Sequence, residues 1–316
     1  MIRYYRTPAA RLRRALRIVT VAAATVLALV VAWNWVDGLG RGRADRIERN
    51  SAGNVKQLSL AWPPEGEATV AVEGLGSLGV SGGEAPVPIA SLAKVMTAYL
   101  VLKDHPLETG EEGFGIEISP ADVEETQQRI VLNQSVIEVE AGEVLSERQA
   151  LVALLLPSAN NIAALLAVHE AGSVEAFVTE MNEAAAELGM RNTRYTDPSG
   201  FEDTTVSTAA DQIKLAHAAM ADPTFARIVA MPSAWLPVAG EVANYNELVG
   251  HEGFIGIKTG SDQAAGGCLL FAKRIDVGGR ILTVLGAVLG QREGDFVQVA
   301  LARARSLAAS VGPALG

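Results

Sequence analysis

Three short groups of residues in this 316-residue chain combine side chains that can activate and hold an acyl group. The first is Ser91-Leu92-Ala93-Lys94. At positions i and i+3 of a helix, a hydroxyl and an amine share one face. A serine hydroxyl is a poor nucleophile until a base removes its proton. An unperturbed lysine, with a pKa of about 10.4, is charged at neutral pH and is no base. Burial and a nearby cation lower that value, each unit being worth about 1.4 kcal/mol. Alone, the tetrapeptide reads more simply as an exposed helix face.

The second group, Ser158-Ala159-Asn160, follows Pro157 between two apolar helical runs. A hydroxyl and an amide two residues apart in such a connection can point into one cleft, and either can instead cap the next helix. The third, Lys258-Thr259-Gly260, closes the strand-like run Phe254-Ile255-Gly256-Ile257. On an alternating strand Lys258 and Gly260 face one way, and Gly260 leaves room for a ligand backbone along the strand edge. The plain alternative is a strand terminus with a solvated lysine. Each group has an ordinary reading by itself. The three in this order, 67 and 100 residues apart, are a joint coincidence that the ordinary readings do not explain.

The elements that must position them read as α+β. Alternating apolar runs from Ala68 to Val80, broken by glycines, predict a hairpin. Helical spacing covers Ser91–Lys103, Ser146–Leu156, Asn160–His169 and Val174–Leu188, with Gly172 and Gly189 as stops. Thr208–Met220 and Thr224–Met231 predict two more helices. After Pro232 come strands at Ala234–Val238, Phe254–Lys258, Gly267–Lys273 and Arg280–Leu289, then a helix at Phe296–Ala309. An antiparallel sheet flanked by helices, with a helical subdomain, follows from that order.

Composition separates a basic tail from an acidic body. The chain carries 26 basic and 36 acidic residues, for a net charge of −10, which argues against nucleic acid as a partner. Residues 1–50 hold ten Arg and three acids, so the remainder stands at −17. Six Arg lie in residues 1–17, before the apolar run Ile18–Val36, whose far end carries Trp33 and Trp35. Nineteen residues at helical rise match a hydrocarbon core of roughly 30 Å. The segment predicts an uncleaved signal anchor with the N-terminus cytoplasmic and the body outside the cell membrane. A cleaved signal peptide is the alternative, but its apolar core is usually shorter and ends at a small-residue site. Residues 37–66 read as a linker and 67–316 as the catalytic domain. The lone Cys268 of an exported chain has no internal disulfide partner, and its apolar setting suggests a buried thiol.

Other patterns fail on context. Gly74-Leu75-Gly76-Ser77-Leu78-Gly79 matches a dinucleotide fingerprint but opens no helix. Gly79-Val80-Ser81-Gly82-Gly83 matches a nucleophile elbow, yet Pro86 and Pro88 follow where a helix is needed. His169-Glu170 and His251-Glu252 lack the second histidine of a zinc-hydrolase helix. No metal or other cofactor is expected.

The ordered set Ser-x-x-Lys, Ser-x-Asn, Lys-Thr-Gly resembles that of the serine D-alanyl-D-alanine carboxypeptidases, the low-molecular-mass penicillin-binding proteins. Pro88–Thr97 is similar to the family's nucleophile segment, Val139–Ser146 with Leu154–Asn161 to its second block, and Gly256–Gly260 with Ala265–Cys268 to its third. The resemblance extends over roughly residues 67–305, including Phe177–Asp211. It implies a penicillin-binding/β-lactamase-like fold and an acylation–deacylation cycle on peptidoglycan stem peptides ending in D-Ala-D-Ala, with β-lactam antibiotics as covalent inhibitors. By this resemblance Ser91 is the nucleophile, Lys94 the proton acceptor and Ser158 the relay to the leaving D-alanine. Asn160 holds the substrate amide or Lys94, Lys258 binds the terminal carboxylate, and Thr259 adds a hydrogen bond. Gly260 belongs to the third motif, and the N–H groups of Ser91 and Ser261 form an oxyanion hole worth roughly 3–4 kcal/mol per donor. Arg292 lies near where the family often places a second carboxylate-binding cation.

Two departures bear on the cleft: Ala159 stands where the family usually has Gly, and Ser261 where an aromatic residue, His or Thr is more usual. A class A β-lactamase would also need a general-base Glu. The stretch Tyr195–Asp203 lacks the corresponding E-x-x-L-N. A penicillin-binding sensor without turnover and an endopeptidase using the same chemistry remain as alternatives.

Overall fold

The computed structural model describes residues 58–316, and Ser59–Gly316 form one compact unit. The expected basic tail (1–17), the anchor (18–36) and most of the linker lie outside the described residues. Among the described residues no single helix is long and apolar enough to cross a membrane.

The chain opens with the predicted hairpin, β1 (Glu67–Val72) and β2 (Gly76–Ser81), turned through Gly74 and Gly76 at positive φ. A short strand β3 (Val87–Pro88) leads into a 3₁₀ turn, Ala90–Ala93, and helix α1 (Lys94–Asp104). Strand β4 (Gly115–Glu117) precedes α2 (Pro120–Val131), and β5 (Val144–Ser146) precedes α3 (Glu147–Leu155). Helices α4 (Asn160–Ala171) and α5 (Val174–Glu187) follow, α4 stopped by Gly172 in the left-handed conformation. A second two-residue strand, β6 (Val206–Ser207), pairs with β3, and α6 (Ala209–Met220) and α7 (Pro223–Val229) come next. The C-terminal part is a small hairpin, β7 (Ser233–Leu236) and β8 (Gly240–Ala243), then β9 (Phe254–Asp262), β10 (Gly266–Val277), β11 (Arg280–Gln291) and α8 (Phe296–Leu315).

The main sheet has the order β2-β1-β11-β10-β9 and is antiparallel throughout, as the sequence predicts. Its alternation separates two cores. Cys268, Leu270 and Ala272 of β10 face the helical side, where Leu92, Met96, Leu154, Ile162 and Phe177 are buried. Leu269 and Phe271 face the other way, with Val70, Val284 and Val288, against Ala300, Ala304 and Leu307 of α8. The central strands are therefore largely apolar on both faces, and β9, at one edge of the sheet, carries the polar third motif.

Helix α2 is the helix that apolar periodicity did not predict, and the short strands β3, β4, β5, β6 and β8 were likewise unexpected. The α2 sequence is mostly polar, and only Thr126 in it is buried. What starts it is a capping box. The Ser119 hydroxyl accepts from the Asp122 N–H at 3.3 Å, while the Asp122 carboxylate accepts from the Ser119 N–H at 2.8 Å, with Pro120 at the first turn. Asn161 of α4 then ties α2 and the following loop to the core, donating to Thr126 Oγ1 (3.1 Å) and the Ile137 carbonyl (3.0 Å). The C-terminal strands run longer than their apolar cores suggested, because ladder pairing continues through polar residues, and α8 extends beyond Ala309 to Leu315.

The docking of α8 on the sheet depends on a missing side chain. A Cβ on Gly267 would lie 1.8 Å from the Phe296 carbonyl oxygen, a backbone atom that cannot rotate away. Gly267→Ala is expected to lower stability by about 1–3 kcal/mol, read as a reduced urea midpoint with an unchanged slope.

Candidate active site

Ser91 lies in the 3₁₀ turn and Lys94 is the first residue of α1, so the two do not share one α-helix as the spacing predicted. Their adjacency survives because side chains at i and i+3 eclipse in a 3₁₀ turn. Lys94 Nζ stands 2.9 Å from Ser91 Oγ and donates to the Ser199 carbonyl at 2.8 Å. The turn is buried on nearly every side: Leu92, Ala93, Val95 and Met96 are inaccessible to solvent, and so is Lys94 itself.

That burial holds the Lys94 amine well below the ordinary lysine pKa. The positive charge of Lys258 pushes it further down, Arg129 adds to the effect, and Asp197 opposes it. Among the described residues neither Lys94 nor Lys258 has an ion-pair partner. An uncharged amine has a lone pair, so the 2.9 Å contact can be read with Ser91 as donor and Lys94 as acceptor.

Lys258 sits on edge strand β9, opposite Leu270 of β10, while Gly260 stands opposite Cys268. Both partners belong to the helical-side core, which places Lys258 and Gly260 on the face toward Ser91. Lys258 is buried, its amine donates to the Thr259 carbonyl at 3.1 Å, and burial lowers its pKa to about 7. Gly260 serves a closer purpose than the one expected. A Cβ there would lie 2.9 Å from the Ile89 carbonyl and 3.0 Å from the Ser91 nitrogen. The absent side chain admits the nucleophile's own backbone as well as leaving the strand edge open. Thr259 is buried and Ser261 exposed on the same strand.

Ser158 adopts φ +65, a left-handed conformation costly for a residue with a Cβ, and its buried hydroxyl has no hydrogen-bond partner. It caps nothing. The cap position of α4 is Ala159, which makes no side-chain bond, so the helix-cap alternative for this motif is not realised. Asn160 donates to Gln134 Oε1 at 2.9 Å and leaves its own buried Oδ1 unpartnered. Gln134 Oε1 also accepts from Arg129 Nη1 at 3.0 Å. Asn160, Gln134, Arg129 and Ser199 line a common cavity of about 340 Å³. Arg292, at the end of β11, is turned to the β9–β10 connection. Its Nη1 donates to the Gln263 carbonyl at 3.0 Å and its Nη2 to that of Ala264, and no contact among the described residues links it to Ser91, Lys94 or Lys258.

The sequence reading missed Asp197, Ser199, Gly200, Arg129 and Gln134. The first three lie within Phe177–Asp211, a stretch that resembles the family without marking any single residue in it as part of the site. Gly200 was the available signal: at φ +77 its Cα packs so closely that a Cβ would lie 1.8 Å from the Ala90 carbonyl.

Comparison with known proteins agrees with this geometry. A family model described as D-alanyl-D-alanine carboxypeptidase matches residues 81–288. The chain belongs to that family. It is 35% identical over 212 residues to a D-alanyl-D-alanine endopeptidase of Pseudomonas aeruginosa, covering 64% of each protein. It is 38% identical over 185 residues to a D-alanyl-D-alanine carboxypeptidase of Mycobacterium tuberculosis, covering 56% of this chain and 59% of that one. The chain thus spans about three-fifths of these curated relatives. Among solved structures, the DD-transpeptidase of Streptomyces K15 superposes with a TM-score of 0.67 at 25% identity, covering 80% of this chain and 97% of that one. A penicillin-binding protein homologue of M. tuberculosis does so at 0.66 and 31% identity, over 83% and 96%. The fold is that of the penicillin-binding DD-peptidases, as the motifs implied.

Two consequences can be measured. Gly260→Ala must displace the Ser91 backbone by a few tenths of an ångström; it is expected to slow labelling by a fluorescent penicillin by about 10–100-fold. The melting temperature should fall less than in Gly267→Ala, because the nearest backbone atom is 2.9 Å away rather than 1.8 Å. Lys258→Met removes a buried cation. With a folded pKa near 7 against an unfolded value of 10.5, the burial penalty is full below pH 7 and declines as pH rises toward 10.5. Lys258→Met is therefore expected to raise stability on the order of a few kcal/mol at pH 6 and by much less at pH 10, in chemical denaturation at the two pH values.

Proposed function

We propose that this chain is a serine D,D-carboxypeptidase that removes the terminal D-alanine from peptidoglycan stem peptides. The single observation that supports this most is the buried Lys94 amine, without an ion-pair partner among the described residues and 2.9 Å from the Ser91 hydroxyl.

Ser91 Oγ attacks the carbonyl between the two D-alanines as its proton passes to Lys94. The N–H groups of Ser91 and Ser261 receive the developing oxyanion. The C–N bond breaks, the leaving D-alanine takes the proton by way of Ser158, and an ester to Ser91 remains. Water then attacks that ester with Lys94 again accepting the proton. The shortened peptide leaves and Ser91 regains its hydrogen. Lys258 attracts the terminal carboxylate and Thr259 adds a hydrogen bond, while Asn160 receives the stem-peptide amide. Arg292 provides a second cation for the carboxylate if its guanidinium leaves the turn carbonyls. β-Lactams acylate Ser91 by the same first step. The apolar run 18–36 with its preceding arginines supports attachment to the cell membrane, with residues 67–316 on the outer side.

A D,D-endopeptidase is the second reading, favoured by the similarity to the endopeptidase of P. aeruginosa. In it the leaving amine belongs to a cross-link rather than to free D-alanine.

The deciding assay offers one muropeptide ending in D-Ala-D-Ala and one cross-linked dimer. Release of D-alanine from the first, lowered at least about 1,000-fold in Ser91→Ala, is the expected result. Cleavage of the dimer alone would move the assignment to the endopeptidase. Penicillin labelling without peptide turnover would make the protein a sensor, and rapid penicillin hydrolysis a β-lactamase.

A further inference from the structure

The segment Asp197–Phe201 supplies the carbonyl that holds Lys94, and a carboxylate knots it. Asp197 is buried, and its Oδ2 accepts from the Ser199 N–H (3.0 Å), the Ser199 hydroxyl (2.6 Å) and the Phe201 N–H (3.0 Å). Its Oδ1 accepts from the Thr205 hydroxyl at 2.7 Å. From the opposite side, Thr97 of α1 donates its hydroxyl to the Pro198 carbonyl at 2.7 Å. Between these two struts the Ser199 carbonyl accepts from Lys94 Nζ at 2.8 Å. Gly200 closes the arrangement by its backbone contact with Ala90, the residue before the nucleophile.

An uncharged amine has two hydrogens and one lone pair. Engaging one hydrogen on the Ser199 carbonyl limits rotation about the terminal bond and leaves the lone pair available to the Ser91 hydroxyl. We propose that Asp197 and Thr97 are positioning residues for catalysis: they fix the Ser199 carbonyl, which in turn aims the Lys94 lone pair at Ser91. The inference rests on the reading of Lys94 as the base. Asp197 acts here by geometry and not by charge, since its negative charge raises the proton affinity of Lys94 and so opposes the neutral amine the reaction needs. All four hydrogen bonds that its carboxylate accepts come from neutral donors, in keeping with a knot rather than an ion pair.

The test is the pre-steady-state labelling of the full-length protein, in detergent, by a fluorescent penicillin, which separates the limiting acylation rate from the half-saturating concentration. Asp197→Ala is expected to lower the limiting rate by about 10–100-fold while the half-saturating concentration stays within about twofold, because the Asp197 carboxylate, although its residue borders the cavity, is occupied by four hydrogen bonds within its own loop. Asp197→Asn is expected to recover most of the rate. Its amide oxygen still accepts from the Ser199 and Phe201 N–H groups and the Ser199 hydroxyl, so only the Thr205 contact is lost, that hydroxyl already accepting from the Thr196 and Asp197 N–H groups. Thr97→Val, which cuts the strut from the other side, is expected to show the same split more weakly. An unchanged rate in Asp197→Ala, or an Asn variant no faster than the Ala variant, overturns the proposal. If Asp197→Ala does not fold, Thr97→Val decides alone, and a wild-type rate there overturns it. Labelling that persists in Ser91→Ala would defeat the underlying reading of the site, and it is told apart because it requires no change in the loop.

Discussion

Two lysine amines buried with no ion-pair partner among the described residues are the constraint on which this site depends. Removing a cation from water is costly, and a second cation nearby adds to the cost. The fold accepts both costs at Lys94 and Lys258, and the result is a Lys94 amine held well below the ordinary lysine pKa beside Ser91. A carboxylate placed to relieve Lys94 would stabilise the protein and disable the base. Asp197 is kept from that role by its engagement with Ser199, Phe201 and Thr205.

The energy that supports this pair comes from the two apolar layers. The double-faced central strands and the helical core, from Leu92 through Phe177, bury enough side chains to carry a polar cleft at the sheet edge. Edge strand β9 is the right place for Lys258, because its inner face looks toward Ser91 while its free edge pairs with nothing in the sheet. A peptide lying along that edge can continue the antiparallel ladder. The strained backbone at Ser158 belongs to the same pattern: its left-handed conformation and unpartnered hydroxyl are retained against their local cost.

Much of the site was legible because its chemistry is local. Ser91 and Lys94 are three residues apart, and either a 3₁₀ turn or an α-helix brings them together, so the error in helix type left the pairing intact. The β-strands were legible through alternation, and the two sheet faces reproduce it. Helix α2 was not, since it buries almost nothing and owes its start to a capping box rather than to apolar spacing. With it went Arg129 and Gln134, whose part in the site follows from where α2 and the loop after it pack.

The amino-acid sequence by itself determined which candidate groups the chain carries and in what order, because motif identity and short spacing are properties of covalent connection. It also determined the antiparallel sheet and the helical layer, since apolar periodicity is written residue by residue. Only the tertiary structure decided that Lys94 is dry, that Lys258 outweighs Asp197 among its charged neighbours, and that Ser199 offers its carbonyl across a separation of 105 residues. Proton affinity depends on every charge and every water molecule within a few ångströms. No one-dimensional pattern encodes that neighbourhood before the chain has closed around it.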